Sequence, residues 1–175
     1  MCPTSDADQS TNDLDAIYRA IGFVVIQWGL AEQSLEMLVV LLFNSFGGKK
    51  LAKRIPVLLS HKLNFVRQCL ASAPRLAKYR VDGEALAGQF ESLSATRNDL
   101  VHGAICSLAP VGGKLMFAKL DFRNNLPVHR QVNLDMPAFP KLAEDLIALG
   151  HNAAGLAMRL LDEFKNTDKI SQDQG

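Results

Sequence analysis

The chain has 175 residues, of which 48% are hydrophobic and 21% are charged, as in an ordinary globular domain that is large enough to bury a core. Its polar, acidic start, Met1 to Asp13, lacks the basic residues and the apolar stretch of a secretory signal. The most apolar stretch, Leu35 to Phe43, is too short to cross a bilayer, and polar residues interrupt its approach at Gln27, Glu32 and Gln33. These features predict a soluble, cytoplasmic protein that does not enter the membrane.

The charges are distributed unevenly along the chain. Residues 1–45 carry one base and six acids, whereas residues 46–81 carry nine bases and no acid. A purely basic block is compatible with a nucleic-acid partner, and the RNA-binding candidates in it are Lys49, Lys50, Lys53 and Arg54. The alternative is a solvated face that also complements the acidic first helix.

One long amphipathic helix is predicted at the start of the chain. It begins near Asn12 or Asp13, either of which can cap a helix, and it ends before Gly47-Gly48. Steps of three, four and seven residues make one apolar stripe from Leu14, Ile17, Ile21, Val24, Trp28, Leu35, Leu38 and Leu42. Glu32 falls on this stripe, one turn after Trp28, and is therefore predicted to face inward.

Two further helices are predicted before the pattern changes. The second covers Val57 to Ala71, and Pro74 blocks its continuation. The third runs from about Asp82 to His102, and Gly103 follows it as a natural C′ residue. The expected inward positions are Leu59, Leu63, Val66 and Leu70 in the second helix and Leu86, Phe90, Leu93 and Leu100 in the third.

Short strands are predicted next, at Ile105 to Leu108, Lys114 to Phe122 and Leu126 to Leu134. Turns at Gly112-Gly113 and Asn124-Asn125 separate the strands, and Pro127 places the last strand at an edge of the sheet.

A last helix is predicted to be capped by Asp135 or to start after Pro140. Its apolar face comprises Leu142, Leu146, Leu149, Leu156, Leu160 and Phe164. The expected fold is therefore all-α: a bundle of about four helices with a small β hairpin or meander before the last helix. It forms one domain over residues 12–166, and the tails 1–11 and 167–175 are expected to be disordered.

The best candidate for chemistry lies at the end of the third helix. Continuing the apolar stripe of that helix places Arg97 where an apolar residue is expected. A buried guanidinium is costly unless it is paired, so the inward-facing Glu32 is predicted to meet Arg97. The alternative is a purely structural ion pair, or side chains that reach out to solvent.

Two more polar side chains belong to this segment. Asn98 and His102 are four residues apart and share a helix face. Arg97 and His102 are separated by roughly 140° and about 7.5 Å along the axis, so they are expected not to be direct neighbours, although both could contact one phosphate. The helix dipole at this end favours a positive charge, which suits His102 as a general acid or a phosphate contact.

The string Arg97-Asn98-x-x-x-His102 resembles the R-x4-6-H motif of the HEPN superfamily (higher eukaryotes and prokaryotes nucleotide-binding domains), whose members often carry a polar residue after the Arg. The run Trp28-x3-Glu32 in a long first helix is also similar to single-domain members. The resemblance covers most of the helical chain, from about Asp13 to Phe164, while the β insertion is less typical of the superfamily.

This resemblance implies a metal-independent endoribonuclease, such as a toxin or a defence component. By transfer, His102 is the acid-base residue, Arg97 binds or stabilises the phosphate, and Asn98 orients one of them. A homodimer is implied because cleavage through the ribose 2′-OH needs proton removal and proton donation, and an antitoxin is a further partner to be expected. No cofactor and no metal are expected, since Cys2, Cys69, Cys106, His61, His129 and His151 lack partners at ligand spacing. The alternative is a non-catalytic HEPN-like interaction or RNA-binding module.

Overall fold

The computed structural model describes residues 6–106 and 114–172. At positions 6–13, 114, 123, 135, 136 and 166–172 only the backbone is described. The fold is a mostly α-helical bundle with a small antiparallel sheet before the last helix, which confirms the predicted fold class. The helices are α1 (Asp6–Ser45), α2 (Leu59–Ser72), α3 (Arg80–His102) and α4 (Phe139–Gln172). Short 3-10 helices occupy Gly48–Lys50, Pro74–Tyr79 and Met136–Ala138.

The two terminal helices are longer than the sequence predicts. α1 starts at Asp6 rather than near Asn12, and α4 continues to Gln172, so both enter segments that were expected to be disordered. Extension of an existing helix adds one hydrogen bond for each residue that is fixed, and the residues concerned contain no Gly or Pro to oppose it. α4 begins at Phe139, between the two predicted starts, because Pro140 is tolerated in a first turn where backbone N–H groups have no helical acceptor.

The sheet has the order β1-β2-β3, with β1 at Ala104–Ile105, β2 at Lys114–Arg123 and β3 at Leu126–Asp135. The turn between β2 and β3 has left-handed residues at both central positions, Asn124 (φ 52°) and Asn125 (φ 62°), as a tight hairpin turn requires. Pro127 lies on the edge strand β3, as predicted. The predicted turn at Gly112-Gly113 and the end of the first predicted strand lie outside the described residues.

The chain forms two compact units. The first comprises Met1–Trp28 and Leu93–Leu146, and the second comprises Gly29–Ser92 and Ile147–Gly175. Buried apolar residues of the first unit include Ile17, Val24, Trp28, Leu100, Leu115, Phe117 and Leu146. Those of the second unit include Leu35, Leu38, Leu42, Leu63, Val66, Leu70, Leu86, Phe90, Leu149, Leu156 and Leu160. Most of these residues lie on the predicted inward stripes.

Among the described residues, α1 is the one helix that is long and apolar enough to cross a membrane, over Leu14–Ser45. The expectation that the chain does not enter the membrane is based on the shorter run Leu35 to Phe43. The whole helix meets the length and composition of a membrane span in spite of the polar residues before that run. Of the most apolar window, 33% is buried within the structure, and the core helix of a soluble protein meets the same criteria.

Candidate active site

The candidate residues Arg97, Asn98 and His102 lie at the C-terminal end of α3, within the first unit. Arg97 and Asn98 are half-buried, whereas His102, the last residue of the helix, is exposed. The end of α3 therefore presents an imidazole to solvent beside two partly covered polar side chains.

Gly103 ends α3 for a steric reason rather than a conformational one. A C′ glycine commonly takes a positive φ, but Gly47 is the glycine with that conformation among the described residues. A Cβ at Gly103 would lie 2.5 Å from the carbonyl oxygen of Asp99 and 3.0 Å from Cβ of Phe117. A side chain at this position would therefore clash first with the last turn of α3 itself, and it would also crowd Phe117 of β2.

Arg97 contacts both of the other candidate residues. Its Nη1 donates to Oδ1 of Asn98 over 2.9 Å and lies 3.5 Å from Nε2 of His102. The expectation that Arg97 and His102 are not direct neighbours is therefore wrong: the angular separation refers to the backbone, and the long Arg side chain spans it. One guanidinium nitrogen brings the three polar residues together.

The Arg97 guanidinium also lies against an aromatic ring. Its central carbon is 5.9 Å from the ring centroid of Trp28, within the range of a cation–π interaction. Trp28 is 3% exposed, which agrees with its interpretation as a core residue. Nε of Arg97 is buried and has no hydrogen-bond partner within the described part of the chain.

The contact between Arg97 and His102 places a cation beside an exposed imidazole. Arg has donors only, so the contact is a hydrogen bond in the tautomer whose Nε2 is unprotonated. A cation beside an imidazole at the surface can hold an anion such as a phosphate and exchange a proton with it.

Asp99 lies inside the motif but is not among the predicted site residues, and its side chain is 14% exposed. Its carboxylate accepts hydrogen bonds from Nζ of Lys119 (3.0 Å) and from Nη2 and Nη1 of Arg130 (2.6 and 3.1 Å). Burial opposes ionisation of Asp99, but the hydrogen bonds from Arg130 and Lys119 outweigh it, so the pKa of this carboxyl lies below its ordinary value.

A pattern in the strands could have indicated this contact. Lys119 and Arg130 are directly opposite each other in the β2–β3 register, and Lys119 follows the buried residues Leu115 and Phe117 on the same face of β2. Two cations on a core-facing position of a hairpin require a carboxylate nearby. Arg130 also donates through Nε to Asp121 over 2.8 Å.

Glu32 is half-buried and belongs to the second unit, whereas Arg97 belongs to the first. The predicted ion pair between them stays a prediction. Trp28, the other residue of the Trp28-x3-Glu32 pattern, does contact Arg97.

Seven of the nine cations in the basic segment of the second unit fall into two groups. Lys49, Lys50, Lys53 and Arg54 are exposed, and none of them forms an ion pair with a carboxylate among the described residues. Three other cations are paired: Lys62 with Glu36, Arg67 with Glu84 and Glu91, and Lys78 with Glu163. Because Glu36 belongs to α1, the expectation that the segment complements the acidic first helix is met at Lys62.

Among the residues that the structure describes, no group of three or more His, Cys, Asp and Glu side chains is arranged to hold a metal ion. Cys106 is exposed and Cys69 is buried, and both are free thiols. Burial raises the pKa of the Cys69 thiol to about 11, which makes it unreactive at neutral pH.

Comparisons with protein-family models, with curated proteins and with solved structures give no match. The similarity to the HEPN motif is therefore one of sequence pattern, and functional inference depends on the geometry of Arg97, Asn98 and His102.

Proposed function

We propose that the protein is a metal-independent endoribonuclease of the HEPN type, with a role as a toxin or a defence component in the cytoplasm. The observation that supports this proposal best is the grouping at the end of α3. Arg97 contacts both Asn98 and His102, and His102 is exposed.

In this reaction the ribose 2′-oxygen attacks the adjacent phosphorus as a base removes the hydroxyl proton. The bond from phosphorus to the 5′-oxygen of the next nucleotide then breaks, and an acid protonates that oxygen. The products are a 2′,3′-cyclic phosphate and a 5′-hydroxyl. The imidazole of His102 serves as the base or as the acid.

Arg97 supplies the positive charge that this mechanism needs. Its guanidinium can hydrogen-bond the phosphate oxygens and stabilise the charge that develops on them. The hydrogen bond from Nη1 to Asn98 fixes one edge of the guanidinium, so Asn98 has the role of orienting Arg97.

One imidazole cannot readily act on both sides of the phosphorus, so the proposal includes a homodimer. In a two-fold dimer, two copies of His102 would face one cleft and supply the base and the acid. An antitoxin that covers this cleft is a further proposed partner.

RNA binding is proposed to involve the exposed cations Lys49, Lys50, Lys53 and Arg54. They lie in the 3-10 helix Gly48–Lys50 and the loop that follows it. Binding through such residues releases counterions from the phosphate backbone. Affinity for RNA is therefore expected to fall steeply as the salt concentration rises.

The decisive experiment measures RNA cleavage in EDTA by the wild type, by His102→Ala and by His151→Ala, which removes another exposed His as a control. The wild type and H151A should cleave and release 2′,3′-cyclic phosphate ends, whereas H102A should bind RNA without cleaving it. Cleavage that requires a metal, or an H102A variant with full activity, would contradict the proposal.

The second candidate function is a non-catalytic HEPN-like interaction or RNA-binding module. It is favoured by the contact between Arg97 and Nε2 of His102, because in the tautomer with an unprotonated Nε2 this contact engages the lone pair that a base needs. A folded wild-type protein that binds RNA but leaves it intact would support the module. If the folded protein neither binds nor cleaves RNA, the RNA-binding form of the module is excluded and a module that interacts with other partners remains.

A further inference from the structure

We propose that Asp99 is a positioning residue for the candidate active site: its carboxylate fixes the β2–β3 hairpin to the turn of α3 that carries His102. The inference deepens the proposed ribonuclease function and rests on it. Asp99 itself does not contact Arg97 or His102 through a described hydrogen bond, so its effect on the chemistry would be exerted through the backbone.

Asp99 contributes to the end of α3 through two separate groups. Its carbonyl oxygen accepts the backbone N–H of Gly103 over 3.0 Å, which closes the last helical turn around His102. Its carboxylate accepts three charged hydrogen bonds from Lys119 and Arg130. The same residue therefore completes the turn and ties it to the sheet.

The sheet is attached to this turn on both sides of His102. Before His102, the attachment is the Asp99 carboxylate. After His102, Ala104 pairs with Ala118 of β2, and N–H of Cys106 donates to the carbonyl of Met116 over 2.9 Å. A segment that is held at both ends has little freedom to rotate, so the hairpin defines where the imidazole of His102 points.

The hairpin is a rigid support because β2 and β3 are paired along their whole length. Lys119 and Arg130 face each other across the strands, and both donate to the Asp99 carboxylate. This carboxylate partly neutralises the two cations, and its hydrogen bonds occupy them, so they are not free to bind a phosphate. This assigns them a supporting role that differs from the role of Arg97.

The test compares Asp99→Asn with the double variant Lys119→Gln/Arg130→Gln, which removes the same contacts from the hairpin. Both should lower kcat for RNA cleavage by roughly 10- to 100-fold, because displacement of a reacting group by about 1 Å can cost about 100-fold in rate. KM should stay close to that of the wild type, because the RNA-binding cations are untouched. The double variant keeps the inference testable where D99N does not fold.

Two control variants separate positioning from general loss of charge. Asp121→Asn removes the charge of the group that accepts from Arg130 Nε and leaves all three bonds to Asp99 in place. Glu91→Gln removes the charge that pairs with Arg67 in the second unit and one of its two acceptor oxygens. Both should keep kcat within about twofold of the wild type. Full activity of D99N, or an equal loss in D121N and E91Q, would overturn the inference.

A second readout does not depend on activity. The ring nitrogen chemical shifts of His102, measured by NMR, report its contact with Arg97 and should change in D99N but not in E91Q. If the wild type cleaves no RNA, the proposed function fails and these shifts decide the inference. Altered His102 shifts in folded D99N would support the positioning role, and unchanged shifts would overturn it.

Discussion

At the scale of single residues, Arg97 occupies a position that packing alone would assign to an apolar side chain. It continues the stripe of Leu86, Phe90 and Leu93, and its Nε is buried without a partner among the described residues. A buried donor that makes no hydrogen bond costs about 1–3 kcal/mol. The contacts with Trp28 and Asn98 offset part of this cost, so Arg97 contributes little net stability while it supplies a cation to the surface.

Arg97→Met tests this balance, because Met keeps the length of the side chain and removes the charge. We expect the free energy of unfolding to stay within about 1 kcal/mol of the wild type, while RNA binding weakens and cleavage is lost. Urea denaturation and cleavage assays on the same sample provide the measurement. A loss of about 3 kcal/mol or more would instead support the predicted ion pair with Glu32, since a buried charge that loses its partner is costly.

Asp99 gives a prediction for the pH dependence of stability. Its pKa is lowered in the folded state by hydrogen bonds from Arg130 and Lys119, relative to the ordinary value of 3.8. A lowered folded pKa adds stability that is fully present above the ordinary value and is lost as the pH falls through the folded pKa. The difference in unfolding free energy between the wild type and Asp99→Asn should therefore be constant from pH 6 to 8 and shrink below about pH 4.

Denaturation series at pH 7, 4 and 3 on both proteins measure this difference. Asp121→Asn serves as the comparison, since it leaves the Asp99 carboxylate in place. A difference between wild type and D99N that is the same at every pH would show that Asp99 is not ionised and paired in the folded protein.

At the scale of secondary-structure elements, two glycines near α3 should respond to alanine in opposite directions. A Cβ at Gly103 would meet the Asp99 carbonyl oxygen and Phe117, whereas a Cβ at Gly88 would have nothing within 4 Å. Gly103→Ala should destabilise the protein, disturb the turn that carries His102 and reduce cleavage. Gly88→Ala should raise stability by up to about 1 kcal/mol, because Ala favours a helix interior.

Thermal denaturation and cleavage assays on the two variants test this contrast. Unchanged stability in G103A would mean that the close contacts at Gly103 with the Asp99 carbonyl oxygen and Phe117 do not exist in solution. A destabilised G88A would show that this face of α3 is covered.

The sequence predicts the elements well where one physical signal dominates. Apolar stripes predict all four helices, and Asn124-Asn125 predicts the hairpin because both residues tolerate a positive φ. Two features could not be predicted. The start of α4 depends on Pro140, which is compatible with a helix start on either side of it. The contact of Asp99 with the hairpin joins residues that are far apart in sequence, and helix periodicity contains no information about such a pair.

The candidate site shows the same division. Arg97, Asn98 and His102 are close in sequence and lie on one helix, so their grouping follows from spacing, although the direct contact of Arg97 with His102 required the side-chain geometry. Glu32 could not be assigned in this way, because its relation to Arg97 depends on tertiary packing. The segment around Lys49 and Lys53 contains no acidic residue that could pair with them, so their exposure could be expected from the sequence. The pairing of Lys62 with Glu36 could not be expected, because Glu36 lies far away in the sequence, on another helix.

At the scale of the whole molecule, the proposed chemistry needs two proton-transfer groups, and the motif of one chain supplies one. An arginine side chain has hydrogen-bond donors only and does not exchange protons in proteins, so Arg97 is not a candidate for either proton transfer. The Asp99 carboxylate is bound by Lys119 and Arg130, and its pKa is lowered, so it remains ionised and engaged near neutral pH. His102 is therefore the one residue of the motif suited to exchange protons, and a second His102 from another copy of the chain would complete the reaction.

This requirement predicts a two-fold dimer whose activity depends on both subunits. When equal amounts of wild type and His102→Ala exchange subunits fully, about a quarter of the dimers carry two His102 residues, and cleavage should fall to about a quarter of the wild-type rate. If each subunit acted alone, the rate would fall to about half. Light scattering at micromolar concentration measures the oligomeric state, and mass spectrometry of a tagged variant confirms the exchange. A monomer, or activity that falls in direct proportion to the wild-type fraction, would exclude a shared cleft and leave His102 of one chain to perform both proton transfers in sequence.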